Sequence, residues 1–303
     1  MTNAAEVLER HRPDDVPPAL PLPRRKHRPR NVITIGIVAV LLGFVAFVGY
    51  WAATGGRWYV VQTPSMGTAA PVGTLLWVEP VQMKDLHVGD FITFRPPGSA
   101  NTYSHRVYTI NADSTISTKG QITAPDPWTL RESDIVGNVQ MRWWGMGWLV
   151  KAVPILVIGG LVLWLVIRRF STQRWRLPLT VAGGALLICV SIVMLRPLTR
   201  ADQISSVATG DGGRATYIST GLLPLRLQAV HGEGIDLRNG QLGSVLSTHA
   251  DSEGHYPVTL KPDITWWWWL VLVAVCFVPA LWTVFFGQPS RSAPKHRAVP
   301  TTA

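Results

Sequence analysis

The sequence predicts a membrane protein of mixed α+β class, in which four transmembrane helices carry an extracytoplasmic, mostly-β domain and a second small β-rich outer module. The first observation behind this prediction is the composition, because the mean hydropathy is +0.20 and only 15% of residues are charged. The second is that apolar residues are grouped in long blocks, each near the ~20 residues needed to cross a bilayer. The third is the series of short β-rich runs and glycine- or proline-containing turns between the blocks.

The four apolar blocks predict spans at residues 32–53, 149–167, 177–195 and 264–286. The other segments are a basic, proline-rich tail at 1–31, expected to be disordered and cytoplasmic, a β-rich domain at 54–147, a cytoplasmic turn at 168–176, an outer module at 196–263 and a cytoplasmic tail at 287–303. The first span follows a basic region, as a signal peptide would. Its apolar run is too long and lacks a clear cleavage site, so we expect an uncleaved anchor.

The distribution of positive charge predicts the orientation of the spans. Residues 1–31 carry seven Lys or Arg and four acids, residues 168–176 carry four arginines and no acid, and the last tail adds three basic residues. Residues 54–147 are balanced, with seven of each sign. The positive-inside rule therefore places both larger loops outside a multi-pass cell-membrane protein. Orientation also accounts for the net charge of +10, so we exclude nucleic acid as a partner.

The metal-binding residue types give no recognisable site. The outer module holds His231, His249, Glu253 and His255, but their spacing matches no zinc signature and favours exposed loop residues. The two cysteines, Cys189 and Cys276, both fall within predicted spans, so no disulfide framework is available to the outer domains. We therefore expect no metal and no cofactor.

Tryptophans are concentrated where the chain is predicted to enter the membrane. Trp143, Trp144 and Trp148 precede the second span, and residues 266–269 are four consecutive tryptophans at the start of the fourth. Such positions are typical of an interfacial aromatic belt. A ligand platform is the alternative interpretation.

Residues 54–147 combine predicted strands with a serine, a histidine and an acid in the order nucleophile, base, orienter. The strands are predicted at 58–61, 74–78, 90–94, 106–110, 114–118 and 135–139. Ser65 would need a neighbouring base and donors for an oxyanion. An imidazole such as His105, held by a carboxylate such as Asp126, can supply the base. Spacing alone leaves an ordinary structural role as the default for each of the three.

Five short blocks occur in order within residues 55–147: Pro64-Ser65-Met66; Val88-Gly89-Asp90 with Ile92 and Phe94; Ser104-His105-Arg106-Val107; Thr118-Lys119-Gly120 running to Ala124-Pro125-Asp126-Pro127; and Asp134-Ile135-Val136-Gly137. The ordered set resembles the signal peptidase I family of serine peptidases. The similarity is to the branch of archaea, the endoplasmic reticulum and some Gram-positive bacteria, in which histidine replaces the lysine base of the common bacterial enzymes.

The resemblance implies a role for each member of the triad. Ser65 would attack the scissile carbonyl, His105 would take and return the proton, and Asp126 would orient His105. The Ser65 backbone N–H would be the first oxyanion donor. Thr63 stands where the lysine-dependent relatives use a serine hydroxyl as the second donor.

Three apolar residues are expected to shape the substrate site. The resemblance makes Met66 an apolar wall beside the nucleophile, and we expect Ile92 and Phe94 to line shallow pockets for small substrate side chains. Two departures from the family pattern affect this region. Gln121 replaces an acid, and the longer run from Met66 to Pro71 replaces the usual Met-Glu/Lys-Pro turn. Lys119 is expected to be structural, because the family's lysine base stands at the position of His105.

The resemblance implies a membrane-bound serine endopeptidase that cleaves signal peptides from exported preproteins after small residues, through an acyl-enzyme. Its expected partners are these preproteins, the lipid bilayer and, as a further candidate, the secretion translocon. An extended substrate would add to the edge of the sheet.

Two alternatives remain at this point. A catalytically silent family member could scaffold secretory partners through the outer module, and the missing acid at Gln121 leaves room for this. A transport or channel protein is disfavoured because no acid or histidine lies within a predicted span. The sequence does not decide whether residues 196–263 select substrates, act as a spacer or bind a partner.

Overall fold

The computed structural model describes residues 30–210, 212–230, 232–248 and 257–286. The predictions for the tails at 1–29 and 287–303, and for His231, His249, Glu253 and His255, lie outside the described residues. The helix up to Trp51 and the chain from Ala52 onward form two units, which are described separately.

The mixed α+β class is confirmed. The helices are α1 (Arg30–Ala53), α2 (Met146–Phe170), α3 (Arg176–Leu195), α4 (Trp266–Cys276) and α5 (Val278–Phe286). Of the helices in the described part of the chain, α2 and α3 are long and apolar enough to cross a membrane. Most of their large apolar side chains are exposed, as expected of helices that face lipid.

The block predicted as one last span at 264–286 is two helices in the structure. Helix α4 ends at Cys276, and α5 begins two residues later at Val278. Pro279 stands at the second position of α5, where a missing backbone N–H is tolerated, whereas inside a continuous helix it would remove a hydrogen bond. Hydropathy alone does not predict the break between α4 and α5.

The first β domain is one seven-stranded sheet. Its strands are β1 (Arg57–Val60), β2 (Leu75–Glu79), β3 (Phe91–Phe94), β4 (Tyr103–Ile110), β5 (Ile116–Lys119), β6 (Pro125–Leu130) and β7 (Ile135–Trp143). The order across the sheet is β1-β2-β7-β3-β4-β5-β6, with every pair antiparallel. Six of these strands overlap the predicted ones, with ends shifted by a few residues.

Strand β6 is absent from the sequence prediction. It contains Pro125 and Pro127, which have no backbone N–H to donate to a neighbouring strand. Two prolines in six residues therefore argue against predicting a strand from the sequence. The topology explains the exception, because β6 lies at the edge of the sheet and pairs on one side only.

Two apolar clusters hold the sheet together. One contains Leu86, Ile92, Phe94, Val107, Ile116 and Leu130, and the other contains Met66, Ala70, Leu76, Val78 and Phe91. The second cluster lies under the segment that follows β1 and fixes that segment to the sheet. Burying side chains of this size contributes about 1.5–3 kcal/mol each.

The second β module follows α3 and consists of two three-stranded antiparallel sheets. Its strands are β8 (Ala201–Thr209), β9 (Gly212–Ser219), β10 (Leu225–Ala229), β11 (Gly234–Leu237), β12 (Leu242–Ser247) and β13 (Val258–Pro262). The sheet orders are β12-β9-β8 and β11-β10-β13. Leu225, Leu227, Leu237 and Val245 form a common core, so the module has its own apolar interior.

One of the predicted interfacial tryptophans is instead a packing residue. Trp148, in the first turn of α2, is only 8% exposed, and its ring lies directly against Gly73. The Gly147 N–H donates to the Gly73 carbonyl at 2.9 Å. The start of α2 is therefore fixed to the β domain, whereas Trp143 and Trp144 remain exposed.

Candidate active site

Ser65 lies on a short 3-10 turn, Pro64–Ala69, which we call the Ser65 turn. Thr63 precedes it in extended conformation, and Pro64 at the first position has the fixed φ that suits the start of a helical turn. Met66 is 1% exposed and packs into the second apolar cluster, so it anchors the turn. Ser65 itself stays half-buried and reachable.

His105 lies on the buried face of β4. Side chains alternate across a strand, and His105 and Val107 are the two buried residues of β4. The imidazole is flanked by the rings of Phe94 and Tyr103, whose centroids lie 6.1 and 6.4 Å from it. This aromatic surround limits the orientations that the ring can adopt.

The structure brings Ser65, His105 and Asp126 into one hydrogen-bonded chain. His105 Nε2 is 2.9 Å from Ser65 Oγ, and His105 Nδ1 is 2.7 Å from Asp126 Oδ2. The histidine and aspartate side chains are only 7% and 8% exposed. If Nδ1 carries its hydrogen and donates to the carboxylate, Nε2 is left as the acceptor for the serine proton. Three residues spread over 62 positions therefore have the geometry of an activated serine nucleophile.

A fourth side chain, that of Thr118, extends this series of hydrogen bonds. The Thr118 hydroxyl donates to the same Asp126 oxygen at 2.6 Å. The order β4-β5-β6 explains this, because His105, Thr118 and Asp126 lie on three neighbouring strands. Gln121 is exposed, and the second polar contact to Asp126 is made by Thr118.

The loop after β5 holds the Ser65 turn in place. The Ile122 N–H donates to the Ser65 carbonyl at 3.2 Å. A Cβ added at Gly120 would lie 2.8 Å from the Ser65 carbonyl oxygen and 3.3 Å from Ser65 Cβ. Only glycine therefore lets this loop approach the serine backbone so closely.

A cleft of about 640 Å³ opens beside the serine and the histidine. Residues 58–63 and residues 100–104 line the cleft, together with Ser65, Met66 and His105. Strand β1, which overlaps the first of these segments, is the other edge strand of the sheet. The cleft also reaches Lys151 of α2, whose ammonium lies 5.1 Å from the centre of the Trp148 ring.

The predicted oxyanion donors both lie at the cleft. Ser65 occupies the second position of its turn, and the first N–H groups of a helical turn have no partner inside that turn. Thr63 lines the cleft, is exposed and makes no capping bond to the turn. Both residues therefore lie at the cleft that also holds His105.

The predicted pocket residues divide into two groups. Met66 lines the cleft. Ile92 and Phe94 are 0% exposed in the first apolar cluster and do not line it, because all four residues of β3 are buried in the interior of the sheet. A substrate therefore cannot contact either of them without disrupting the core. Lys119 lies 5.6 Å from the centre of the Tyr108 ring, which agrees with a structural role.

Sequence reasoning missed three residues at the site. Thr118 belongs to one of the family-like blocks, but its bond to Asp126 requires β6, which was not predicted. Tyr103 stands two residues before His105, and the period of a strand would have placed it on the same face. Lys151 has no local signal, because only the fold of α2 against the sheet brings it to the cleft.

Within the described residues, no group of three or more His, Cys, Asp or Glu side chains is placed to hold a metal ion. The chain matches no protein-family model, and no curated protein matches it significantly.

Proposed function

We propose that the protein is a membrane-bound serine endopeptidase that removes signal peptides from exported preproteins. The observation that carries this proposal is the chain of hydrogen bonds from Ser65 Oγ through His105 to Asp126. The ordered sequence blocks that resemble signal peptidase I support the same conclusion independently. They include all three members of this chain.

The reaction follows from the positions of the three side chains. Ser65 Oγ forms a bond to the scissile carbonyl carbon as its proton passes to His105 Nε2, and Asp126 stabilises the resulting imidazolium. The Ser65 N–H and the Thr63 hydroxyl stabilise the oxyanion. The carbon–nitrogen bond then breaks, and the leaving amine takes the proton from His105. Water, deprotonated by the same histidine, hydrolyses the acyl-enzyme and restores Ser65.

The shape of the cleft supports an extended peptide as the substrate. The outer edge of β1 is available at the cleft, so a peptide can add to it as a further strand. Alternate side chains of such a peptide then face the cleft floor around Met66 and Leu76. We propose that the side chains nearest the cleaved bond are small, as the resemblance to signal peptidase I implies.

The neighbourhood of α2 supports a location at the membrane surface. The cleft extends to Lys151, five residues after the start of a helix that is long and apolar enough to cross a membrane. A preprotein whose apolar segment lies in the bilayer would present the end of that segment at the membrane surface, close to the cleft. Taken with α1 and the last two helices as further membrane segments, the charge bias of the sequence supports an extracytoplasmic site.

Cleavage of a preprotein by the full chain in lipid vesicles tests the proposal. Ser65→Ala and His105→Ala should each lower the cleavage rate by about 10³-fold or more, because a triad acts as a unit. Ser133→Ala, at an exposed serine of the same domain, is the control and should cleave normally. Undiminished cleavage by Ser65→Ala would refute the assignment.

A further inference from the structure

We infer that the second β module is a positioning element for the nucleophile, and that it acts through the turn at Asn239 and Gly240. This inference rests on the proposed function of Ser65. It concerns residues 196–263, to which neither the motifs nor the reaction gives a role.

Three separate segments restrain the Ser65 turn at alternate residues. The Ser65 carbonyl accepts from the Ile122 N–H at 3.2 Å, and the Ala69 carbonyl accepts from Arg142 Nη1 at 2.9 Å. Between them, the Gly67 carbonyl lies against the backbone of Gly240. Two of the restraints come from the domain that carries the triad, and the middle one comes from the second module.

The contact between Gly67 and Gly240 is too close for a side chain. A Cβ added at Gly240 would overlap the Gly67 oxygen and lie 2.7 Å from the Gly67 carbonyl carbon and 3.0 Å from Thr68 Cα. Gly67 itself is the kink of the Ser65 turn, with φ 49° and ψ −131° inside an otherwise helical segment. The second module therefore contacts the turn at the point where its backbone departs from helical geometry, two residues after the nucleophile.

The contacting turn is fixed on both sides. Within the module, the Gly240 N–H donates to the Ser219 carbonyl at 2.8 Å, and the Asn239 amide donates to the Gly221 carbonyl. Across the interface, Trp144 Nε1 donates to Asn239 Oδ1 at 3.0 Å. Trp144 directly follows β7 of the triad-bearing sheet. A displacement of the module would therefore be transmitted to Gly67 rather than absorbed by a loose loop.

The two halves of the Ser65 turn line different cavities. Ser65 and Met66 line the substrate cleft, whereas Thr68 and Ala69 line a second, open cavity of about 590 Å³ that residues of the module also line. On that side, the backbone of Gly240 lies against Gly67 and Thr68. Loss of the contact would change the position of Ser65 Oγ relative to His105, while the segments that line the cleft at 58–63 and 100–104 keep their place. The expected effect is therefore on kcat and not on KM.

Gly240→Ala in the full chain tests this inference. The kcat for preprotein cleavage should fall by about tenfold to a hundredfold, as expected for a misplaced nucleophile, and KM should change by less than about twofold. The rate at which a fluorophosphonate labels Ser65 should fall by the same factor as kcat. Gly98→Ala is the matched control, because Gly98 has the same φ of +75° and nothing within 4 Å of an added Cβ.

Trp144→Phe keeps an aromatic ring and removes the indole N–H that donates to Asn239. It should lower kcat by about threefold to tenfold with an unchanged unfolding midpoint. If Gly240→Ala is unstable, Trp144→Phe tests whether the second module positions Ser65. Equal kcat and labelling rates in wild type and Trp144→Phe, or an equal loss in Gly98→Ala and Gly240→Ala, would overturn the inference. A wild-type chain that neither cleaves nor labels would instead refute the proposed function.

Discussion

At the scale of single residues, Asp126 is the most constrained group of the site. One carboxylate oxygen lies 2.7 Å from His105 Nδ1 and accepts from the Thr118 hydroxyl at 2.6 Å, and the aspartate side chain is only 8% exposed. A buried carboxylate needs such donors, because an unpaired charge there would be costly. Thr118 therefore helps to hold the acid in the orientation that His105 requires.

Thr118→Val should lower kcat by about tenfold, because it removes one hydrogen bond to a charged group while keeping the size of the side chain. The comparison is Thr115→Val, which removes a similar 2.7 Å bond from a threonine to Asp113 on the β4–β5 hairpin, away from the cleft. Steady-state cleavage of a preprotein by both variants distinguishes the two sites. Equal kcat values in the two variants would show that Thr118 has no part in orienting Asp126.

Gly120→Ala should lower kcat by about a hundredfold, because the added Cβ would lie 2.8 Å from the Ser65 carbonyl oxygen and displace the nucleophile. Gly210→Ala, where nothing lies within 4 Å of an added Cβ, is the control. The measurement is the rate of preprotein cleavage at saturating substrate. Full activity in Gly120→Ala would mean that the loop does not restrain Ser65.

At the scale of elements, the sequence predicts strands that have a local residue pattern, and it misses features that depend on where a strand lies in the sheet. Six strands of the first sheet follow from β-branched runs and turns, and Ser65, His105 and Asp126 follow from short ordered blocks. Strand β6 could not be predicted, because Pro125 and Pro127 are acceptable only at a sheet edge. Ile92 and Phe94 look like pocket residues in a motif, yet β3 lies inside the sheet and buries both.

Trp148 shows how an element joins the sheet. Trp148→Ala should lower the free energy of unfolding by about 3 kcal/mol or more, because a buried indole is lost and the space beside Gly73 is left empty. Trp164→Ala on the same helix, at a residue that is 52% exposed, should have a smaller effect. Thermal unfolding in detergent, followed by the helix signal in far-UV circular dichroism, gives the comparison. Equal unfolding midpoints for the two variants would contradict the packing of α2 against the β domain.

At the scale of the whole molecule, the helices after the first β domain bring together residues far apart in the chain. Cys189 of α3 and Cys276 of α4 are separated by 87 positions, yet their sulfur atoms lie 3.9 Å apart, and both thiols are free. The sequence placed each cysteine in an apolar block but contained no signal that they meet. Contacts between helices of this kind depend on packing and cannot be read from hydropathy.

Oxidation of the full chain with copper phenanthroline should join Cys189 and Cys276 within one molecule, because the sulfur atoms need to approach by only about 2 Å to reach bonding distance. The two thiols lose two hydrogens to the oxidant. Peptide mapping by mass spectrometry identifies the linked pair, and Cys189→Ser should abolish it. Disulfides that form only between molecules would contradict the packing of α3 against α4.

The whole-molecule account depends on one chemical claim, that His105 activates Ser65 as a nucleophile. The most direct test is to treat the full chain with a fluorophosphonate and locate the adduct by mass spectrometry. The account predicts a single adduct at Ser65 in the wild type, and a labelling rate at least about 10²-fold lower in His105→Ala, since a general base contributes that much or more. An unlabelled wild type, an adduct on another serine or an undiminished rate in His105→Ala would contradict it.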